Sequence, residues 1–330
     1  MGRRVLVCGG AGFIGSHMCE QLAAHGMEVV VFDNLAGGRR EHVRWGELVV
    51  GDLRNPGELQ ALFDSRRFDA VMQFAGKIVA SESVREPISY HEHNVTGMLN
   101  LLDAACAHDA PPVVFSSSAA VYGAALHTPI DEDHACVPVT PYGRSKLAAE
   151  RMLTDSRAAY GLRSVALRYF NAAGASAGGL IGEAHEPETH LIPNALRAVQ
   201  SGAPVEVFGD DYRTADGTCV RDYVHVLDVC SAHLAALEYL WGGGENLVVN
   251  VGSGAGHSVL EVIAEAERVS GRRIARHVAA RRDGDPPVLV AGTQRARSVL
   301  GWQPVQSDLA TIVESAWRWE QRRVERKRLA

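Results

Sequence analysis

The stretch Arg4-Val5-Leu6-Val7-Cys8-Gly9-Gly10-Ala11-Gly12-Phe13-Ile14-Gly15 decides the fold. Arg4–Cys8 is a short apolar run of strand length, closed off by glycine. Residues 13–25 then read as a helix that stops at Gly26. Glycine is suited to the position just past a helix, where the backbone turns left-handed. Between strand and helix, glycines at 9, 12 and 15 give G-x-x-G-x-x-G. Gly9 permits a tight turn, Gly12 lets backbone approach a pyrophosphate, and Gly15 lets helix and strand pack closely. A pyrophosphate would sit at the positive end of the helix that opens at Phe13 and Ile14.

Reading outward, residues 28–32 form a second apolar strand ending at Asp33, eighteen residues after Gly15. Runs at 48–50, Ala70–Gln73 and 113–115 are further short strands, with helical stretches between them, notably 94–107. Alternation of apolar strands with helices predicts a parallel sheet covered on both faces, with right-handed crossovers. The expected class is α/β, a doubly wound (Rossmann-type) parallel sheet with a smaller C-terminal substrate-binding domain. A carboxylate at Asp33 accepts hydrogen bonds from the adenosine ribose hydroxyls and repels a 2′-phosphate, which points to NAD rather than NADP. Arg39 and Arg40 lie nearby and are read as facing solvent.

The pattern loosens after residue 170, and 172–190, rich in Gly, Ala, Ser and Glu, reads as loop. This divides the chain into a nucleotide-binding domain, 1–170, and a mainly substrate-binding one, 171–330. A segment near 222–245 is expected to return to the first. With 330 residues and 46% apolar content, the chain has ample material for such a core. The net charge of −6 lacks the basic excess of a nucleic-acid binder, and the basic run 322–328 reads as a solvated helix end. Six scattered cysteines contain no C-x-x-C pair and no Cys/His cluster of zinc-ligand spacing. They read as reduced thiols of a cytoplasmic protein, and no metal is expected. The N-terminal apolar run is too short for a leader, and no segment approaches the ~18 apolar residues that would cross a bilayer.

The reactive constellation lies further on. Tyr142 and Lys146 sit in Thr140-Pro141-Tyr142-Gly143-Arg144-Ser145-Lys146, where Thr140 can cap a helix and Pro141 fits its first position. Four residues apart on a helix, the two side chains share a face. A tyrosine with its ordinary pKa of about 10 is a poor base near neutrality, and a neighbouring ammonium favours the phenolate. Ser116-Ser117-Ser118 follows an apolar strand, at the strand end where doubly wound sheets place their crevice. Ser118 would bridge Tyr142 and a substrate hydroxyl.

The glycine spacing resembles the extended short-chain dehydrogenase/reductase superfamily. Four stretches are similar to its UDP-glucose (UDP-galactose) 4-epimerase branch: Phe115-Ser-Ser-Ser-Ala-Ala-Val-Tyr122-Gly, Pro141-Tyr-Gly-Arg-Ser-Lys146, Arg168-Tyr-Phe-Asn171 and Gly217-Thr-Cys-Val-Arg-Asp-Tyr-Val-His225. Arg281-Arg-Asp-Gly-Asp285 completes the set, so the likeness runs through nearly the whole chain. It implies C4 epimerisation of UDP-glucose and UDP-galactose through a transient 4-keto sugar, with a retained NAD as hydride shuttle. Tyr142 would be the base, Ser118 the relay, and Lys146 the partner of the phenol. The resemblance adds Asn34, Asp52, Leu53, Phe74, Ala75, Gly76, Asn94, Ser116 and Phe170 as cofactor contacts. It assigns Asn171, Arg221 and Arg282 to the substrate pyrophosphate, where a guanidinium fork suits phosphate. Asp285 would meet the uridine ribose, Phe208 the uracil, and His190 with Leu191 another part of the substrate. A homodimer built on helices near 96–108 and 146–160 is also implied, although Met98, Leu101, Leu102 and Ala105 fit an ordinary core equally well.

Departures mark the chain's own character. Ala120 stands where the branch often has Thr, Lys77 lies one place earlier than in some relatives, and the segment 34–51 is short. Leu289 occupies the position where, in the branch, Tyr excludes N-acetyl sugars and Cys admits them. Its intermediate size implies main activity on UDP-glucose and UDP-galactose with some on N-acetyl forms. A 4-epimerase for UDP-N-acetylhexosamine, UDP-pentose or UDP-uronate is the nearer alternative. A dehydratase would need the Thr-Asp-Glu of its relatives where this chain has Ser118-Ala119-Ala120. A non-catalytic NAD sensor would have no use for the Tyr142/Lys146 pair.

Overall fold

The computed structural model describes residues 2–282 and 285–329. Its strands are β1 (Arg4–Cys8), β2 (Glu28–Asp33), β3 (Glu47–Val50), β4 (Ala70–Gln73), β5 (Val113–Ser118), β6 (Ser164–Tyr169), β7 (Asn171–Ala173), β8 (Val205–Phe208), β9 (Val220–His225), β10 (Leu247–Val251), β11 (Gly256–Ser258), β12 (Arg276–Ala279) and β13 (Val288–Leu289). Seven of them form one parallel sheet in the order β10-β6-β5-β4-β1-β2-β3.

Alternation along β1 shows why these strands are apolar throughout. Val5 and Val7 join Val29, Val31, Met18, Leu22, Val229 and Leu237 in one core, under the helices Phe13–Ala24 and Val226–Trp241. Leu6 and Cys8 face the other way, onto Leu59, Leu62, Leu101, Ala149 and Leu153 of the helices Pro56–Ser65, Gly97–Ala107 and Pro141–Tyr160. Side chains of period two feed two separate cores, so neither face of the strand can be polar. The order reverses at β1, between β2 and β4, which opens a crevice at the carboxyl ends of the strands.

A second, smaller unit packs beside this sheet. β9 lies at its centre, with β11, β13 and β7 paired to it, while β8 pairs with β12. The helices Leu191–Ser201, Val259–Ser270 and Leu309–Leu329 cover it with a core that includes Ile192, Leu196, Val262, Ile263, Ile312 and Val313. Phe170 alone separates β6 of the large sheet from β7 of the small one. The chain therefore passes from the large sheet to the small one in a single residue. β10 later returns to the large sheet beside β6.

Two sequence expectations change in detail. The 94–107 helix begins as a π-helical turn, Glu92–Thr96, before Gly97–Ala107 becomes regular. The strand expected at 113–115 continues to Ser118. Met98, Leu101, Leu102 and Ala105 are buried in the chain's own core, as their helix packs on Pro56–Ser65 and Pro141–Tyr160. Among the described residues, no helix is long and apolar enough to cross a membrane.

Candidate active site

The three glycines meet three different surroundings. Gly9 has φ +79°, and a Cβ there would lie 2.5 Å from the backbone nitrogen of Ala75. A Cβ on Gly15 would lie 2.2 Å from the Gly9 carbonyl oxygen, so helix and turn touch only because both residues lack side chains. At Gly12 the one close neighbour of a Cβ would be the Gly9 carbonyl oxygen, at 3.3 Å, and the space above it is open. Gly12 also starts the Phe13–Ala24 helix in extended conformation, and the first-turn N–H groups of Phe13 and Ile14 have no partner within the helix. Asp33 ends β2, is buried, and accepts from the N–H groups of Ala11 (2.9 Å) and Leu35 (2.8 Å). Two of roughly four lone-pair sites on the carboxylate are thereby used, leaving capacity for the hydroxyls of a ribose. This cradle fits a dinucleotide.

The other expected cofactor residues follow the strand ends. Asn34 comes after β2 and donates to Asp52, which comes after β3 (2.9 Å). Arg54 grips the same Asp52 carboxylate and holds its pKa far below the usual range. Leu53 is buried, and its carbonyl accepts from Asn100. Phe74, Ala75 and Gly76 follow β4, and Phe74 stacks against the ring of His233 at 4.7 Å. Asn94, on the π-turn, clamps the backbone of Lys77 through both its N–H (2.8 Å) and C=O (3.0 Å), and donates to Ser145 on the Pro141–Tyr160 helix. The Lys77 ammonium itself pairs with Glu86 at 2.9 Å. Arg39 departs from the sequence expectation: it is turned inward and donates to the Ala184 carbonyl (3.1 and 3.2 Å), because the loop before Leu191 passes over it. Arg40 is exposed.

Tyr142 and Lys146 rise from the first turns of a helix capped as its sequence demands. Thr140 accepts from the Gly143 N–H (3.2 Å) and Pro141 takes the first position. Lys146 Nζ donates to the Ser116 carbonyl at 2.8 Å and lies 5.9 Å from the centre of the Tyr142 ring. Ser118, the last residue of β5, lies beside the Tyr142 phenol and accepts from the Ala120 N–H (3.1 Å). Burial pulls the Lys146 pKa down to about 8, opposed by the charge of Glu150. Burial pushes the Tyr142 phenol up, opposed by the neighbouring Ser118 hydroxyl. The depression expected from the ammonium is therefore outweighed within the chain itself, and a further positive charge beside the phenol would be needed to restore it.

Beneath this group lies a buried network that sequence reading passed over. Glu150 forms a two-pronged ion pair with Arg168 (2.7 and 2.9 Å) and accepts from Ser117. Arg168 also donates to Tyr122 (3.0 Å), whose hydroxyl donates to Asn250 (2.6 Å). The available signal was Glu150 itself, four residues after Lys146 and hence on the same helix face.

The residues expected to meet substrate gather on and around the small sheet. Asn171 on β7 donates to the Asp222 carbonyl of β9 (2.9 Å). Arg221 on β9 lies in register with Leu289 on β13 and pairs with Asp285. Phe208 ends β8, with the guanidinium of Arg282 stacked 3.9 Å from its ring centre. Leu289 and Phe170 both pack against the cluster of Ala119, Val121, Tyr122 and Ile130, beside the end of β5. Asp283 and Gly284 lie outside the described residues. His190 caps the Leu191–Ser201 helix, but its ring is turned to Glu183, and Leu191 packs against the small unit's core. Asp222 was also passed over: fully buried, its carboxylate accepts from Ser253, Gly254 and Ala291 and pins two segments to β9.

Comparison with known proteins agrees with this geometry. The family model described as "NAD dependent epimerase/dehydratase family" matches residues 5–252. UDP-glucose 4-epimerase of Rhizobium meliloti (strain 1021) is 49% identical over 320 residues, 97% of each chain. UDP-glucose 4-epimerase from Brucella ovis, solved in complex with NAD, superposes with a TM-score of 0.93 at 48% identity, covering 96% of this chain and 97% of that one. The Stenotrophomonas maltophila enzyme, solved with NAD and formylated UDP-arabinopyranose, gives 0.94 at 39% identity, covering 98% and 99%. With likeness of this extent in both sequence and fold, the chain belongs to the NAD dependent epimerase/dehydratase family.

Proposed function

We propose that this protein reversibly inverts C4 of UDP-glucose and UDP-galactose. The observation that carries the reading is the placement of Ser118, Tyr142 and Lys146 at the end of β5, next to a dinucleotide cradle. Near-full-length likeness to UDP-glucose 4-epimerases supports it. NAD, when bound, supplies the acceptor and donor of the C4 hydride. Tyr142 takes the proton of the sugar 4-hydroxyl, directly or through Ser118, and returns it after the hydride has come back to the opposite face. Lys146 stays anchored to Ser116, and its charge stabilises the phenolate. Asn171, Arg221 and Arg282 hold the pyrophosphate while the sugar turns. Nothing is oxidised overall, so the cofactor has to remain bound through turnover, with Asp33 and the glycine turn retaining it.

The residues after 170 that surround β9 are assigned to the sugar nucleotide, and the large sheet to NAD. Six free thiols support a reducing, cytoplasmic setting. A homodimer through the helices Gly97–Ala107 and Pro141–Tyr160 is supported by Leu99 and Tyr160, both exposed on them. Incubation of the purified protein with UDP-galactose, adding no NAD, tests the reading. Formation of UDP-glucose establishes the epimerase and its retained cofactor. No conversion with or without added NAD, in protein that carries NAD, overturns it.

A further inference from the structure

The loop before the Leu191–Ser201 helix carries Glu183-x-His185-x-x-Glu188-x-His190, and it folds these four side chains onto one point. One donor atom from each lies within 4.8 Å of all the others. His185 Nδ1 is 3.0 Å from Glu183 Oε1 and 3.9 Å from Glu188 Oε1, while His190 Nδ1 is 3.7 Å from Glu188 Oε1. The closest pair is His190 with Glu183. Metal–ligand bonds of about 2.0–2.1 Å place tetrahedral donors roughly 3.3 Å apart, so these separations bracket a four-coordinate site.

The surroundings are those of a built site. The side chains of Glu183 and Glu188 are only 5% and 2% exposed, a costly place for two carboxylates without a matching charge. Arg197 donates to Glu188 Oε2 (3.3 Å) and to the His185 carbonyl (3.4 Å), and Glu188 Oε1, the oxygen facing the two imidazoles, accepts from the N–H groups of Thr189 and His190. Such outer contacts orient ligands. Among the described residues, this is the one such grouping of His, Cys, Asp and Glu donors.

We propose that Glu183, His185, Glu188 and His190 bind a divalent transition-metal ion, zinc by its donor set, as a closed structural site. Two neutral imidazoles and two carboxylates match zinc in charge, number and hardness. The ion staples a strategic loop. Ala184, inside the motif, is held by Arg39, and the same loop lines a cleft with Ala11, Gly12 and Phe13 of the phosphate turn. The metal thus ties the base of the substrate unit to the cofactor cradle. The sequence reading sought Cys/His spacing and passed over a motif that is half carboxylate.

The test uses the full-length protein with its bound NAD. After dialysis against zinc and then metal-free buffer, elemental analysis should find about one zinc per chain. Cobalt in place of zinc should give the strong visible bands of a four-coordinate ion. His185→Ala and Glu188→Gln should each lower zinc content at least tenfold, and a chelator should lower the wild-type melting temperature, reversibly on adding zinc. Wild-type protein that stays free of zinc and indifferent to chelator overturns the proposal, leaving two imidazolium–carboxylate pairs. So does undiminished zinc in both variants. The wild-type measurements decide the matter even if a variant fails to fold.

Discussion

Lys146 donates a 2.8 Å hydrogen bond to the carbonyl of Ser116, which ties the first turns of the Pro141–Tyr160 helix to the end of β5. The bond spends one ammonium proton on the backbone and fixes the charge 5.9 Å from the centre of the Tyr142 ring. The Tyr142 helix and the strand end are therefore joined directly. Tyr142→Phe keeps the ring's packing and removes the proton acceptor. Conversion of UDP-galactose should fall by about 10²–10⁴-fold, with NAD content unchanged. Parallel loss of NAD would instead assign Tyr142 to cofactor retention.

The depressed Lys146 pKa sets a pH limit. In the folded protein the ammonium persists below about pH 8 and is lost above it, whereas the unfolded lysine titrates near 10.5. Between these values the unfolded chain binds more protons, so this group adds stability as pH rises. Activity moves the opposite way, falling through about pH 8. Initial rates against pH should show that alkaline limb. Lys146→Arg, which stays charged, should shift it well upward at a lower rate; an unmoved limb would assign it to another group.

Glu150 and Arg168 form the buried counterpart of this surface, 6% and 7% exposed and paired through both carboxylate oxygens. Glu150→Ala leaves the guanidinium buried without its anion and should cost about 3–5 kcal/mol in urea unfolding. Replacing both residues by methionine should recover most of that loss, since well-packed apolar side chains substitute adequately for a buried pair. An additive double variant would show that the two act separately.

Acid should weaken the protein for a specific reason. Burial pulls the pKa of His225 and of His233 down to about 4, against 6.5 when unfolded. Both are neutral in the native core, so between pH 6.5 and 4 the unfolded chain binds more protons and stability declines as pH falls. Each histidine accounts for roughly 3 kcal/mol across that window. Urea midpoints at successive pH values should trace the decline, and His225→Asn should flatten it by about one proton.

The sequence disclosed most where one residue type serves one purpose. Gly9, Gly12 and Gly15 are legible because turn, ligand approach and helix packing each exclude a side chain, and the alternating apolar strands are legible because both sheet faces are buried. Thr140 and Pro141 announced their helix for the same local reason. What stayed hidden depends on distant partners. Glu150 gains its role only when Arg168 arrives from β6, and Asp222 only when Ser253 and Ala291 close on it. Arg39 was read toward solvent because the carbonyl that holds it lies 145 positions away.

Leu289 offers the sharpest test of sugar preference. On β13 it stands in register with Arg221 of β9 and packs beside Ala119 and Tyr122, near the end of β5. On the proposed reading, a side chain there sets how much room lies beside the turning sugar. Leu289→Tyr adds bulk at that point and should suppress conversion of UDP-N-acetylglucosamine by about 10–200-fold relative to UDP-glucose, the discrimination that pocket size alone commonly achieves. Leu289→Cys should move the ratio the other way, with little change for UDP-glucose. Measuring kcat/KM for both sugars in the three proteins decides it. A ratio that ignores the size of residue 289 would place the N-acetyl group elsewhere, away from β13.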